Sequence, residues 1–109
     1  MIDWARVIEL RDEIGAEDFE EVVELFLSEV EERLETLSND KGVKELSEDF
    51  HFLKGSALNL GFDHVARLCH ESEKQADAGG IVDDVAAVKN AYDASKAEFF
   101  AKLGSTLAA

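Results

Sequence analysis

The chain lacks proline altogether among its 109 residues, so nothing in it is obliged to break or kink a helix. Only one cysteine, Cys69, is present, which excludes an internal disulfide and points to a reducing, cytoplasmic compartment. No apolar run approaches the roughly 18 residues that a membrane-spanning helix requires. The opening Met1-Ile2-Asp3-Trp4 lacks the basic and then apolar regions of a secretory signal. Because Met1 leads directly into a helix, a free-standing protein is expected rather than a domain cut from a larger kinase. Basic residues are also scarce, 11 against 25 acids, for a net charge of −14. Nucleic acid and anionic lipid bind mainly through Lys and Arg, so both are excluded as partners. The length suits one domain over residues 1–109, soluble and expected to be a monomer, whose modest core buries about two-thirds of the unfolded surface.

The acid that is present is unevenly placed. Residues 17–35 hold nine acids and one base, whereas residues 41–75 hold six acids and five bases. An acid-rich helix often only shows a charged face to water. The sharper reading is that residues 41–75 stay near neutral so that an acidic partner can dock there.

Hydrophobic spacing predicts five helices. The first, Asp3 to Ile14, carries Trp4, Val7 and Ile8 and ends at Gly15. The second starts near Glu17-Asp18, presents Phe19, Val22, Phe26, Val30, Leu34 and Leu37, and breaks at Ser38-Asn39-Asp40 and Gly42. The third spans Val43 to Leu60, with Val43, Leu46, Phe50, Leu53, Ala57 and Leu60 inward and Gly61 as its stop. Asp63 is expected to cap the fourth, which buries Val65, Leu68, Cys69, Ser72 and Ala76 and ends at Gly79-Gly80. The fifth runs from about Asp83-Asp84 to Leu103, with Val85, Val88, Tyr92, Ser95, Phe99 and Leu103 inward. The fold class is all-α. Four long amphipathic helices on short loops pack most simply as an up-down-up-down antiparallel bundle, its end covered by the short N-terminal helix.

One helix is odd. At 100° per residue, His51 points about 130° away from the middle of the third helix's apolar series. Ser47, Lys54, Gly55 and Leu58 share its strip. A glycine in an exposed helix costs about 1 kcal/mol relative to alanine, so Gly55 needs a reason. Clearance for something large beside His51 supplies one. Imidazole is a competent nucleophile near neutral pH, and Lys54 places a fixed positive charge within reach of whatever the ring holds. A transferring phosphoryl group carries spread negative charge that such a lysine stabilises.

The stretch His51-Phe52-Leu53-Lys54-Gly55-Ser56-Ala57-Leu58-Asn59-Leu60-Gly61 resembles the signature of histidine-containing phosphotransfer (HPt) domains. The preceding Phe19-to-Leu37 helix, the Leu68-Cys69 segment and the overall length agree, so the resemblance covers essentially the whole chain. It implies a phosphorelay carrier that trades a phosphoryl group with the aspartate of response-regulator receiver domains, fed by a histidine kinase or hybrid kinase. On that resemblance His51 is the phosphoacceptor, Lys54 the charge stabiliser and Gly55 the clearance for the receiver. Any magnesium would belong to the receiver, with no cofactor held here. The family usually has a small residue just before the histidine. Phe50 stands there instead, which predicts different packing rather than lost activity.

Phe52 and Leu58 flank His51 outside the apolar series, as ordinary surface residues or as a small docking patch. His64 and His70 are expected at the surface, with His64 close enough to the end of the third helix to touch a partner. Cys69 reads as a small core residue. Glu48-Asp49-Phe50-His51 is a Glu-x-x-His, but a di-iron bundle needs two such motifs, and zinc lacks a ligand set here. No nucleotide-binding glycine loop occurs, so neither kinase nor ATPase activity is expected. The remaining alternative is a helical interaction module that performs no transfer.

Overall fold

The computed structural model describes residues 2–38, 40–79 and 85–108, which form five helices. These are α1 (Trp4–Ile14), α2 (Ala16–Thr36), α3 (Val43–Leu60), α4 (Asp63–Asp77) and α5 (Val85–Ala108). Among the described residues there is no strand, only an isolated bridge between Ile2 and Phe62. Asn39, Gly80, Asp83 and Asp84, where breaks and the start of the fifth helix were expected, lie outside the described residues.

Each visible boundary has a local cause. Asp3 caps α1, its carboxylate accepting the Arg6 amide at 3.2 Å. Gly15, at φ 99°, turns the chain from α1 into α2. Gly61 is constrained twice over. Its φ of 79° is left-handed, and a Cβ there would lie 2.7 Å from the Asp3 carbonyl oxygen. Its own carbonyl accepts the Asp3 amide at 2.7 Å, tying the chain start to the α3–α4 corner.

The described apolar interior is one cluster. Phe50, Leu53, Leu60, Phe62, Val65, Cys69, Val88 and Phe99 are almost wholly buried within it. Burying one such large side chain contributes about 1.5–3 kcal/mol, so this cluster dominates stability. Phe62 sits at its aromatic centre, its ring 5.5 Å from Phe99 and 6.1 Å from Tyr92. Trp4 stacks on Phe99 at 5.7 Å, so α1 closes the end of the molecule where the α3–α4 corner lies. The extents of 45 × 20 × 20 Å suit helices lying lengthwise, since the 24 residues of α5 span about 36 Å.

Several expected faces are turned. Val23 and Leu27 fill the core from α2, while Val22 and Phe26 are only half-buried. Val22-Val23 and Leu25-Phe26-Leu27 stand side by side in α2, so two neighbouring stripes fit the same spacing and packing selects between them. Val43 (45% exposed) and Ile8 (38% exposed) sit outside the core, with Leu10 inward in α1 instead. Asp63 does not cap α4. It is the first helical residue, Phe62 occupies the cap, and the Asp63 carboxylate pairs with Arg67 at 3.4 Å. In α4 Ala66 is buried where Leu68 and Ser72 were expected, both of which are half-buried. α5 continues past Leu103, itself half-buried, to Ala108.

Candidate functional site

The site lies along the seam between α3 and α4. Phe50 and Leu53, buried on either side of residue 51, fix the rotation of α3 about its axis. Asp49 and Ser56 are also buried, which shifts the middle of the buried arc still further from His51. The His51 side chain is 72% exposed. α4 runs antiparallel alongside: Ser47 donates to Asp77, and four residues on, His51 meets Glu73, four residues back. This register carries the site.

Glu73 joins the two residues singled out from the sequence. One carboxylate oxygen, Oε2, lies 2.8 Å from His51 Nδ1, and the other, Oε1, accepts from Lys54 Nζ at 2.6 Å. Its side chain is mostly covered. The Lys54 bond, partly opposed by burial and supported by the His51 contact, holds the Glu73 carboxyl below its usual range. Glu73 is therefore ionised and can only accept hydrogen bonds. That assigns the proton to Nδ1 and leaves the lone pair of Nε2 directed away from Glu73, on an exposed ring. An oriented, accessible imidazole nitrogen backed by a carboxylate is a nucleophile prepared to take a group and hold the resulting positive charge.

Cys69 lies one turn from Glu73 on α4, fully buried. Burial, with the negative Glu73 nearby, pushes its thiol up to about 12, so it stays protonated and unreactive. Cys69 is a core residue, as its place in the apolar series predicts.

The other candidates divide. Gly55 is exposed, and a Cβ built there would meet nothing within 4 Å. Leu58, further along the same strip, is 54% exposed. Phe52 is half-buried and turned toward α2, where the Arg33 guanidinium covers its ring at 4.3 Å. Arg33 is held by the buried Asp49 at 3.0 Å, and Lys41 reaches the other oxygen of Asp49 at 2.6 Å. Two cations thus compensate a carboxylate whose burial alone would be costly. His64 is half-buried in the first turn of α4 and His70 is exposed; neither is bonded to His51. Among the described residues no three His, Cys, Asp or Glu side chains are grouped to hold a metal ion.

Sequence reasoning missed Glu73, Asp49 and Arg33. The only signal for Glu73 was its place beside the apolar edge of α4, which becomes informative once the α3–α4 register is known.

Comparison with protein families matches residues 21–98 to the Hpt domain. The chain is 37% identical over 76 residues to the phosphorelay intermediate protein YPD1 of Candida albicans, covering 63% of this chain and 40% of that protein. It is 32% identical over 90 residues to the phosphorelay protein LuxU of Vibrio vulnificus, covering 77% of this chain and 76% of that protein. It therefore spans less than half the length of the first relative and about three-quarters of the second. No solved structure matches the chain significantly.

Proposed function

This chain belongs to the Hpt domain family, and we propose that it carries a phosphoryl group on Nε2 of His51, exchanging it with the aspartate of response-regulator receiver domains. The observation that carries the reading is Glu73, whose contact with Nδ1 leaves Nε2 as the free nitrogen. In the accepting step the Nε2 lone pair attacks phosphorus in the receiver's aspartyl phosphate. The new bond is N–P; the bond that breaks is P–O, and its electron pair returns to the aspartate carboxylate. The ring becomes cationic, and the Nδ1 proton stays between the ring and Glu73, which stabilises that charge. Donation runs the same step backward. Lys54 anchors Glu73 and places a positive charge beside the phosphoryl oxygens.

The protein would act as a carrier and not as a kinase or ATPase, with a histidine or hybrid kinase supplying phosphoryl groups upstream. Any magnesium would belong to the receiver. Gly55 and Leu58 would lie under the receiver, with Phe52 and His64 at the edge of that contact. The working unit would be a monomer of one domain in the cytoplasm. Its four long helices would run up-down-up-down, a topology supported by the antiparallel pairs His51–Glu73 and Ser47–Asp77 and by Glu31–Lys96 and Leu37–Lys89.

Incubation with a phosphorylated receiver tests the reading. The parent should acquire acid-labile phosphate and His51→Gln should not, with stability changed by less than about 0.5 kcal/mol because the site is exposed. Label on His64 or His70 would overturn the acceptor, and nuclear magnetic resonance placing phosphorus on Nδ1 would overturn the role of Glu73.

A further inference from the structure

A second surface lies between α2 and α5. Glu31 bridges the two helices, bonded to the Tyr92 hydroxyl at 2.5 Å and to Lys96 Nζ at 2.6 Å. Beside this bridge the seam opens into three depressions of about 370, 440 and 400 Å³. They are continuous: Glu31, Glu35 and Lys96 line the first and second, and Glu24 and Phe100 line the second and third. From Lys89 to Gly104 the groove follows α5 for about 22 Å, the length of four helical turns.

The floor is apolar in the third depression, beside Phe19, Val23, Phe100 and Leu103, and mixed in the other two, where Leu27 and Leu34 lie almost wholly buried beneath the polar lining. Phe100 stands where the second and third depressions meet, 49% exposed, its ring held edge-on against Phe99 at 5.3 Å. The rim is acidic. Glu20, Glu24, Glu32 and Glu35 form no ion pair among the described residues. The lysines of the groove are engaged already, Lys96 with Glu31 and Lys89 with the Leu37 carbonyl. No lining residue comes from α3 or α4, so an occupant would leave His51 accessible.

We propose that this groove docks an amphipathic helix whose apolar stripe covers Phe100 and whose flanks carry Lys and Arg. Charge complementarity selects that occupant: four unpaired carboxylates border a helix-length groove whose apolar end is built around Phe100 and Leu103. A second copy of the chain is disfavoured, because it would bring the same acidic α2 and another net charge of −14. Such a site tethers the carrier to a basic helical segment of another protein while His51 exchanges its phosphoryl group on a different face.

The test uses the full chain and a designed helical peptide of about 18 residues, with leucine on one face and lysine on the other. A control peptide has the same charge with serine in place of leucine. Amide-resonance mapping should place the leucine peptide on α2 and α5, and binding of the control should be weaker by about tenfold or more. Phe100→Ser should weaken the leucine peptide by a similar factor. Glu24→Gln, at an exposed position, provides a second variant and should weaken binding severalfold. Phosphoryl acceptance by His51 should be unchanged with the peptide bound. Equal binding of both peptides, or indifference to Phe100→Ser in a folded variant, would reduce the effect to general attraction to an acidic protein and overturn the proposal. Shifts centred on α3 and His51, or dimerisation abolished by Phe100→Ser, would overturn the choice of site or of occupant.

Discussion

Gly55 sets stability against function at one residue, which makes it the most discriminating place to perturb the protein. It occupies the middle of α3, is exposed, and has open space where a Cβ would stand. Gly55→Ala should therefore raise stability by about 0.8–1 kcal/mol, the helix-propensity difference with no packing cost subtracted. For a domain of this size that corresponds to roughly 4–8 °C in melting temperature. Gly55→Gln should retain most of the gain, since glutamine is also a good helix former. The functional effect runs the other way. Side chains in a helix lean toward its N-terminus, and residue 51 lies one turn, about 6 Å, in that direction. The introduced amide would therefore cover the ground in front of the His51 ring, where the proposed receiver would bring its aspartate. Paired melting curves and phosphotransfer time courses on the parent and both variants make the measurement. The glutamine variant should melt higher and transfer at least about tenfold more slowly, a loss near 1.4 kcal/mol in transition-state access. Parent-like transfer would remove partner access as the reason for the glycine. A lower melting temperature in both variants would mean that Gly55 faces a neighbouring helix.

Three further outcomes follow from the same geometry. Lys54→Ala should slow transfer by about tenfold or more while leaving receiver affinity nearly intact, since its charge acts through Glu73 and on the phosphoryl oxygens; equal rates in single-turnover assays would exclude the lysine. Glu73 and Glu31 both have carboxyls held below their ordinary value of 4.5, Glu73 chiefly by Lys54 and Glu31 chiefly by Lys96. Because depressed folded values favour the ionised native state, this stabilisation is complete above that value and is lost as the pH falls through the folded ones. A Glu31→Gln/Glu73→Gln variant should thus show a shallower fall in melting temperature between about pH 5 and pH 3, and an unchanged slope would refute the assignment. Cys69 should resist a disulfide-exchange reagent at pH 8 in the native protein and react once denaturant is added; rapid native labelling would contradict its burial.

Much of the fold was legible in the sequence because helix ends and helix faces are local properties. α3 spans Val43–Leu60 as its spacing predicts, and Gly15 and Gly61 stop helices where the chain must turn. The errors concentrate where several apolar residues stand together. Val22-Val23 and Leu25-Phe26-Leu27 allow α2 two nearly equivalent stripes, and only the neighbouring helices decide that Val23 and Leu27 go inward. Asp49 inverts the usual rule for a different reason. A carboxylate reads as surface, yet Arg33 from α2 and Lys41 from the loop before α3 close over it, and neither is local in helical spacing. The same guanidinium covers Phe52, which the sequence left equally open as a docking residue.

The site divides along the same line. His51 and Gly55 could be read from one helix, because an exposed histidine and an unexplained glycine are anomalies of a single periodic pattern. Glu73 could not, since its place beside the apolar edge of α4 separates it from the neighbouring acid Glu71 but gives it no partner until the helix is laid beside α3. Antiparallel pairing then does the selecting: His51 opposite Glu73 requires Ser47 opposite Asp77, and both contacts are present. A shift of one residue along α4 would put Ser72 or Lys74 beside the imidazole in place of the carboxylate. The orientation of the nucleophile is thus a consequence of helix register, and register is set by the core on the opposite side of both helices. Phe50, Leu53 and Ala57 of α3 pack in one cluster with Val65, Cys69 and Ala76 of α4. The chemistry proposed at Nε2 would therefore depend on apolar residues that never touch it, and a core substitution that slips α4 by a fraction of a turn would separate Glu73 from His51 before it unfolded the domain.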